Sequence, residues 1–158
     1  GEVAHGPMPS DIGRTGGDEA VRRALDWIVH KKPDTLEPGL VSGHKYAAFN
    51  LMTVAMMTGT QLMPDLRGHI LIVEEISEYL YAYDRALFHL CSNLADSGLT
   101  GIKLGRISEI PENDRPFGED PEAIIERWCA KSEIAYLGRA DIGHDAQNKI
   151  VPLGLCKL

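Results

Sequence analysis

Gly68-His69-Ile70-Leu71-Ile72-Val73-Glu74-Glu75 is the stretch whose reading decides the fold. Four consecutive aliphatic residues leave no polar alternation, which describes a strand covered on both faces. Pro64-Asp65 turns the chain into it. Two carboxylates follow where the strand leaves the core. In open α/β sheets the crevice beyond the carboxyl ends of strands is where ligands bind. Successive strand side chains alternate, so Ile70, Ile72 and Glu74 share one face, and Leu71, Val73 and Glu75 the other. Only one of the two acids can serve a given site.

On the C-terminal side, Leu80, Tyr83, Leu87, Leu90, Cys91 and Leu94 recur at three- and four-residue steps. That spacing predicts a long helix over Tyr79–Leu94, closed by Gly98. Gly101–Gly105 reads as a short strand, and the polar, twice-proline run from Ser108 to Gly118 as an exposed loop. Asp120 caps a further helix that Pro121 begins, with Ile124, Ile125 and Trp128 on its apolar side. Ile134–Gly138 is another strand. The tail through Pro152 is an edge segment, because proline cannot serve a central ladder.

On the N-terminal side, residues 1–17 are a Gly- and Pro-rich lead-in. Its Gly13-Arg14-Thr15-Gly16-Gly17 lacks the lysine of a phosphate loop and reads as a linker. Asp18 is expected to cap a helix whose stripe is Val21, Ala24, Leu25 and Ile28, stopped by Pro33. Leu40-Val41 starts a short strand. Tyr46–Thr58, apolar nearly all round, predicts a buried helix ending at Gly59, with Met52, Met56 and Met57 filling core gaps. Strands alternate with helices, so the class is α/β with a parallel or mixed sheet and flanking helices.

The 158 residues suit one ordinary domain, and 44% apolar with 25% charged residues is a globular balance. A net charge of −7 without a Lys/Arg cluster argues against nucleic acid. No apolar run approaches the ~20 residues of a membrane span. Cys91, Cys129 and Cys156 are odd in number and widely spaced, which suits reduced core thiols better than disulfides or zinc. His69 diverges from Glu74 on a strand and lies at the far end of the apolar run from Glu75, so no metal is expected. The first residue is Gly1, and the chain is expected to be part of something longer.

A second weak signal is Gly143-His144-Asp145 with Asn148 and Pro152-Leu153-Gly154. A histidine between a glycine and a polar loop is free to titrate near neutrality. Taken alone, Glu74 reads as a solvated charge and His144 as a surface loop residue. His5, His30, His44 and His89 have no better local claim.

Pro64-Asp65, Gly68–Glu75, Tyr83-Asp84-Arg85, Leu104-Gly105-Arg106, Ile142-Gly143-His144, Asn148 and Val151-Pro152-Leu153-Gly154 together resemble the C-terminal domain of the LD-carboxypeptidases. These serine peptidases include murein tetrapeptide carboxypeptidase and the microcin C immunity proteins. His5-Gly6-Pro7-Met8 resembles the segment that closes the family's N-terminal domain. The division implied is residues 1–38 as the end of that domain with its linker, and 39–158 as the C-terminal α/β domain.

The resemblance implies a Ser-Glu-His triad shared between two domains, with the glutamate on Glu74 and the histidine on His144. Histidine would be base, then acid, and Glu74 would hold its tautomer. A short contact between Glu74 and the His144 ring is therefore expected, with Glu75 an ordinary charge. The family's nucleophile belongs to a Gly-x-Ser-Asp elbow that this sequence lacks, and Ser10-Asp11, which follows Pro9, does not replace it. The family's Gly-Gly-Asn-Leu appears as Ala48-Phe49-Asn50-Leu51, and Glu75 stands in place of the more usual Asp. Arg85 and Arg106 are candidate partners for a substrate carboxylate, but a structural ion pair, such as Asp84 with an arginine, suits either better, and both are left outside the site.

What the resemblance implies for function is the C-terminal half of a serine carboxypeptidase cleaving an L,D-amide bond in murein peptides. Its setting would be cytoplasmic peptidoglycan recycling. The partners would be a muropeptide substrate, the N-terminal nucleophile domain and a second copy in a homodimer. No metal or organic cofactor is implied, and this chain alone is expected to be inactive. The alternatives are a non-catalytic binding or regulatory domain of the same fold, or a peptidyl- or aminoacyl-nucleotide hydrolase of the microcin-immunity type.

Overall fold

The computed structural model describes residues 2–157. Its centre is a five-stranded sheet in which the opening stretch, β3 (His69–Ile76), lies in the middle. Parallel neighbours flank it: β2 (Lys45–Asn50) on one side, and β4 (Gly101–Ser108) then β5 (Tyr136–Arg139) on the other. β7 (Gly154–Leu155) adds an antiparallel edge to β2, which makes the sheet mixed. A separate two-stranded ribbon pairs β1 (Ala4–His5) with β6 (Val151–Pro152), so Pro152 stays out of the main ladder.

Alternation along β3 sorts its side chains into two cores. Leu71 and Val73 face α2 (Leu51–Met57), α3 (Leu80–Leu94) and α4 (Pro121–Lys131), in a cluster with Leu87, Leu90 and Ile125. Ile70 and Ile72 face the other way, into a smaller cluster with Tyr46, Ala48, Ile142 and Val151. That second face is covered by irregular chain, notably Leu36, Leu40, Ala140 and Ile142, rather than by helices. α1 (Gly17–His30) packs beside it and buries Ala20 and Trp27.

Six local expectations are corrected. Lys45–Asn50 is a strand, and the helix begins only at Leu51. The apolar run is continuous, but Tyr46, Ala47 and Ala48 are buried as a sheet strand would bury them. Met56 is 72% exposed and fills no gap. Asp18 does not cap α1; the chain enters through Gly16 in the left-handed region at φ 81°. A Cβ on Gly17 would collide with the Asp11 carbonyl, and Gly16 takes the left-handed conformation, which together explain the glycine pair. Leu25 and Ile28 of the expected stripe are exposed, and Leu40-Val41 forms a turn region instead of a strand. β5 begins two residues later than expected.

The helix over Leu80–Leu94 is observed with Gly98 at φ 75° beyond it. Asp120 caps α4, its side chain accepting from the Ala123 amide at 2.9 Å. All three cysteines are free and buried.

Candidate active site

β3 exits the sheet beside a bulge. Val73 pairs with Leu104 and Glu75 with Ile107, so β4 carries one residue more than β3 across this step. The extra residue lies within Gly105-Arg106 and re-aims the strand where it passes Glu74. A Cβ on Gly105 would meet the Ile142 carbonyl at 2.9 Å and Glu74 Cβ at 3.0 Å, so glycine is what lets the chains approach.

Glu74 is 2% exposed and directed to the face of Ile70 and Ile72. Its Oε2 lies 3.8 Å from Nδ1 of His144, whose side chain is 27% exposed. This is an ion-pair separation, longer than a hydrogen bond. Oε2 has no hydrogen-bond partner among the described residues. Burial pushes the Glu74 carboxyl above the usual carboxylate range, the nearby His144 opposes that shift, and the Glu75 charge reinforces it. The two residues singled out in the sequence are thus brought together.

Glu75 is not an ordinary charge. It is 3% exposed, its Oε1 accepts from Asn50 Nδ2 at 2.5 Å and from the Ile76 amide at 2.9 Å, and its Oε2 accepts from the Met52 amide at 2.8 Å. It therefore anchors the start of α2, where unpaired amides favour an anion. Asn50 completes the junction by accepting from the Thr53 amide at 3.0 Å. The expectation failed because all but one of these partners come from a neighbouring strand and helix.

Glu74 and His144 open onto a cleft of about 470 Å³ that His5, Asp11, Asn50, Asp145 and Asn148 also line. Burial, followed by the nearby His144, pushes the His5 imidazole down to about 4. Its Nδ1 is buried without a partner among the described residues. Asp11 is 2% exposed, accepts from the Met8 amide at 2.8 Å and faces Arg14 at 3.3 Å. Sequence reasoning left His5 and Asp11 outside the site; the only signal for His5 was its place in His5-Gly6-Pro7-Met8. Ser10 lies beside Asp11 in a short 3-10 turn and is exposed.

The His144 loop has no helix or strand, and distant side chains fix it instead. Arg14 Nη1 donates to the His144 carbonyl at 2.9 Å, and Arg23 Nη1 donates to the carbonyls of Ala146 and Asn148, both at 2.9 Å. Asn148, 4% exposed, accepts from the Gly143 amide at 3.2 Å. Of the set-aside arginines, Arg106 pairs with Asp141 and Asp145, whereas Arg85 donates to the Tyr81 carbonyl and lies over its ring. The partner of Asp84 is Arg127, at 2.7 Å. Among the described residues no group of three His, Cys, Asp or Glu comes together to hold a metal ion, and no helix is long and apolar enough to cross a membrane.

A carboxylate buried beside an accessible imidazole can hold one tautomer and stabilise the imidazolium formed when the ring takes a proton. The known proteins that resemble this chain share its fold. The murein tetrapeptide carboxypeptidase of Pseudomonas aeruginosa is 27% identical over 95% of this chain and 53% of its own length. The crystal structure of a muramoyltetrapeptide carboxypeptidase from Oxalobacter formigenes superposes with a TM-score of 0.72 at 26% identity, covering 98% of this chain and 57% of that one. The microcin C7 self-immunity protein MccF superposes with a TM-score of 0.70 at 18% identity, over 97% of this chain and 56% of that one, a likeness of fold alone. The chain thus spans about half the length of the relatives it matches. The profile of the LD-carboxypeptidase C-terminal domain matches residues 45–157, and the chain belongs to that family.

Proposed function

We propose that this chain is the half of a serine carboxypeptidase that supplies the glutamate and histidine of a Ser-Glu-His triad. The observation that carries the reading is the 3.8 Å approach of Glu74 Oε2 to His144 Nδ1 at the mouth of a shared cleft. The serine belongs to an N-terminal nucleophile domain outside this chain. His144 takes the proton of that serine as its oxygen attacks the scissile carbonyl, then delivers it to the departing amine. Water then gives a proton to the same ring as it adds to the acyl carbonyl, and the ring returns that proton to the serine oxygen as the acyl–oxygen bond breaks. Glu74 holds the ring's Nδ1–H tautomer and stabilises the imidazolium. The bond cleaved is the L,D-amide at the carboxyl end of a murein peptide, and the wider setting is a cytoplasmic homodimer in peptidoglycan recycling.

This chain alone is inactive on that reading, because losing the nucleophile of a triad removes covalent catalysis. In the protein carrying both halves, His144→Ala is expected to lower kcat by about 10⁶-fold and Glu74→Gln by about 10⁴-fold. The assay follows release of the terminal D-residue from a murein tetrapeptide, with an aminoacyl sulfamoyl adenosine as the competing substrate. Full hydrolysis by His144→Ala overturns the triad, and preference for the adenosine substrate overturns the murein assignment.

A further inference from the structure

The His144 loop is irregular, yet its two flanking acids are held by one side chain. Arg106 leaves the β4 bulge and donates through Nη1 to Asp141 Oδ1 at 2.5 Å, through Nε to Asp145 Oδ2 at 2.6 Å and through Nη2 to Asp145 Oδ1 at 3.0 Å. The Asp145 contact is a two-pronged fork, a geometry that a guanidinium can satisfy and an ammonium cannot. The backbone adds to it, since the Arg106 amide donates to the Ile142 carbonyl at 2.7 Å. Gly143 is needed for the fit, because a Cβ there would lie 2.8 Å from Arg106 Nε and 3.0 Å from its Cβ. Asp141 is also tied from the far side, its amide donating to Glu37 Oε1 at 3.2 Å. His144 therefore sits between two acids whose places are set by a residue on another strand.

We propose that Arg106 is a positioning residue of this site: with Arg14 and Arg23 it fixes the loop that presents His144, and it screens the Asp141 and Asp145 charges from the Glu74–His144 pair. The inference rests on the triad reading above for its consequence in catalysis, but the arrangement itself belongs to this chain. The charged and titratable groups around His144 and its loop are Glu74, with Glu75 behind it, from β3; His5 from β1; Asp11 and Arg14 from the turn before α1; Arg23 from α1; Arg106 from β4; and Asp141 and Asp145 from its own loop. Among these the Arg106 guanidinium is the cation that contacts both flanking acids. Its removal leaves two carboxylates unneutralised beside the site, and both changes raise proton affinity there. Asp145 already pushes the Glu74 carboxyl upward, behind the larger effects of burial, His144 and Glu75. Against its own partial burial, Asp145 is held below the usual carboxylate range by Arg106.

The test is an NMR titration of the His144 ring in this chain, comparing the parent with Arg106→Gln, Arg106→Lys and Asp145→Asn. Arg106→Gln is expected to move the measured imidazole midpoint upward, because a cation is lost and two carboxylates are left unneutralised. Arg106→Lys keeps the charge and is expected to restore most of the midpoint while broadening the loop resonances, because the fork is lost. Asp145→Asn, a change at a partly exposed side chain, keeps the fold and is expected to move the midpoint down. A purely structural arginine would lower the melting temperature of Arg106→Gln and leave every midpoint in place. Unmoved midpoints in both Arg106→Gln and Asp145→Asn overturn the inference. If Arg106→Gln does not fold, the Asp145→Asn shift decides alone. Failure of the triad reading is seen separately, as hydrolysis surviving His144→Ala in the protein with both halves.

Discussion

The two faces of the sheet are built on different principles. The helix-covered face is apolar and regular, with Leu71, Val73, Leu87, Leu90, Leu104 and Ile125 all fully buried among α2, α3 and α4. The opposite face is covered by loops, and polar side chains do much of the holding. Glu37, 4% exposed, accepts from the Gly39 amide at 2.9 Å and the Asp141 amide at 3.2 Å, and faces Lys103 Nζ at 3.9 Å. Tyr46 Oη accepts from the Val41 amide at 2.9 Å. Glu74 and His144 lie on this second face. Oily packing is tolerant of small shifts and sets stability, whereas directional bonds fix a loop in one geometry. The molecule puts its stability on one side and its candidate chemistry on the other.

The sharpest way to break that division is Leu90→Ala. It should cost about 3–4 kcal/mol by denaturant unfolding, the range for a buried leucine truncated in a tight core. The His144 ring resonances of the folded fraction should not move. If they do, the two faces are not separable.

The next effect is a pH dependence carried by a group on the loop side of the sheet. His5 has a folded-state pKa of about 4 against an ordinary value of 6.5, so the unfolded chain binds the extra proton in between. Stability from this group is full above pH 6.5 and is lost as the pH falls through about 4, by roughly 2–3 kcal/mol. His5→Gln should flatten that slope in melts taken across the window, and an unchanged slope would remove His5 from the account.

Gly105→Ala probes the bulge. The added methyl meets backbone at Ile142, so the strand must shift, at about 1–3 kcal/mol. The loss should appear with displaced His144 signals, the reverse of Leu90→Ala.

The smallest effect has the opposite sign. Glu74 is buried with Oε2 unpartnered and its pKa raised, so its contribution to stability is lost as pH rises through the folded-state value. Glu74→Gln should therefore raise stability near neutral pH by about 1–2 kcal/mol, a few degrees in Tm, with the gain vanishing in acid. A variant less stable than the parent at pH 7 would show that Glu74 is kept for structure.

Where local pattern and global structure agree, the sequence was readable. The unbroken run Ile70–Val73 specifies a strand covered on both faces, the three-four spacing of Leu80–Leu94 a helix, and Asp120-Pro121 a helix start. Of Tyr46–Thr58, the part that departs from the expected helix is Tyr46–Asn50, because a short apolar run carries no period that tells a buried strand from a buried helix. The change from strand to helix occurs at Asn50, and what makes it a junction is Glu75 on the neighbouring strand. The same non-local dependence hid Glu75. For the site, Glu74 and His144 were reachable only through separated motifs, since neither has a distinctive local pattern. Arg14 and Arg23, which fix the His144 loop, carry no local signal, because the carbonyls they hold lie far along the chain.

The margins of the sheet carry a consequence for how copies of the chain can meet. One edge, β7, is only two residues long, and the other, β5, is four residues interrupted by Gly138 at φ 79°. Neither offers the long, flat row of free amides and carbonyls on which a foreign strand could nucleate. Sheet-to-sheet extension, the usual route to aggregates, is disfavoured at both of these short edge strands, which favours association through side chains on the faces, where specificity can be encoded.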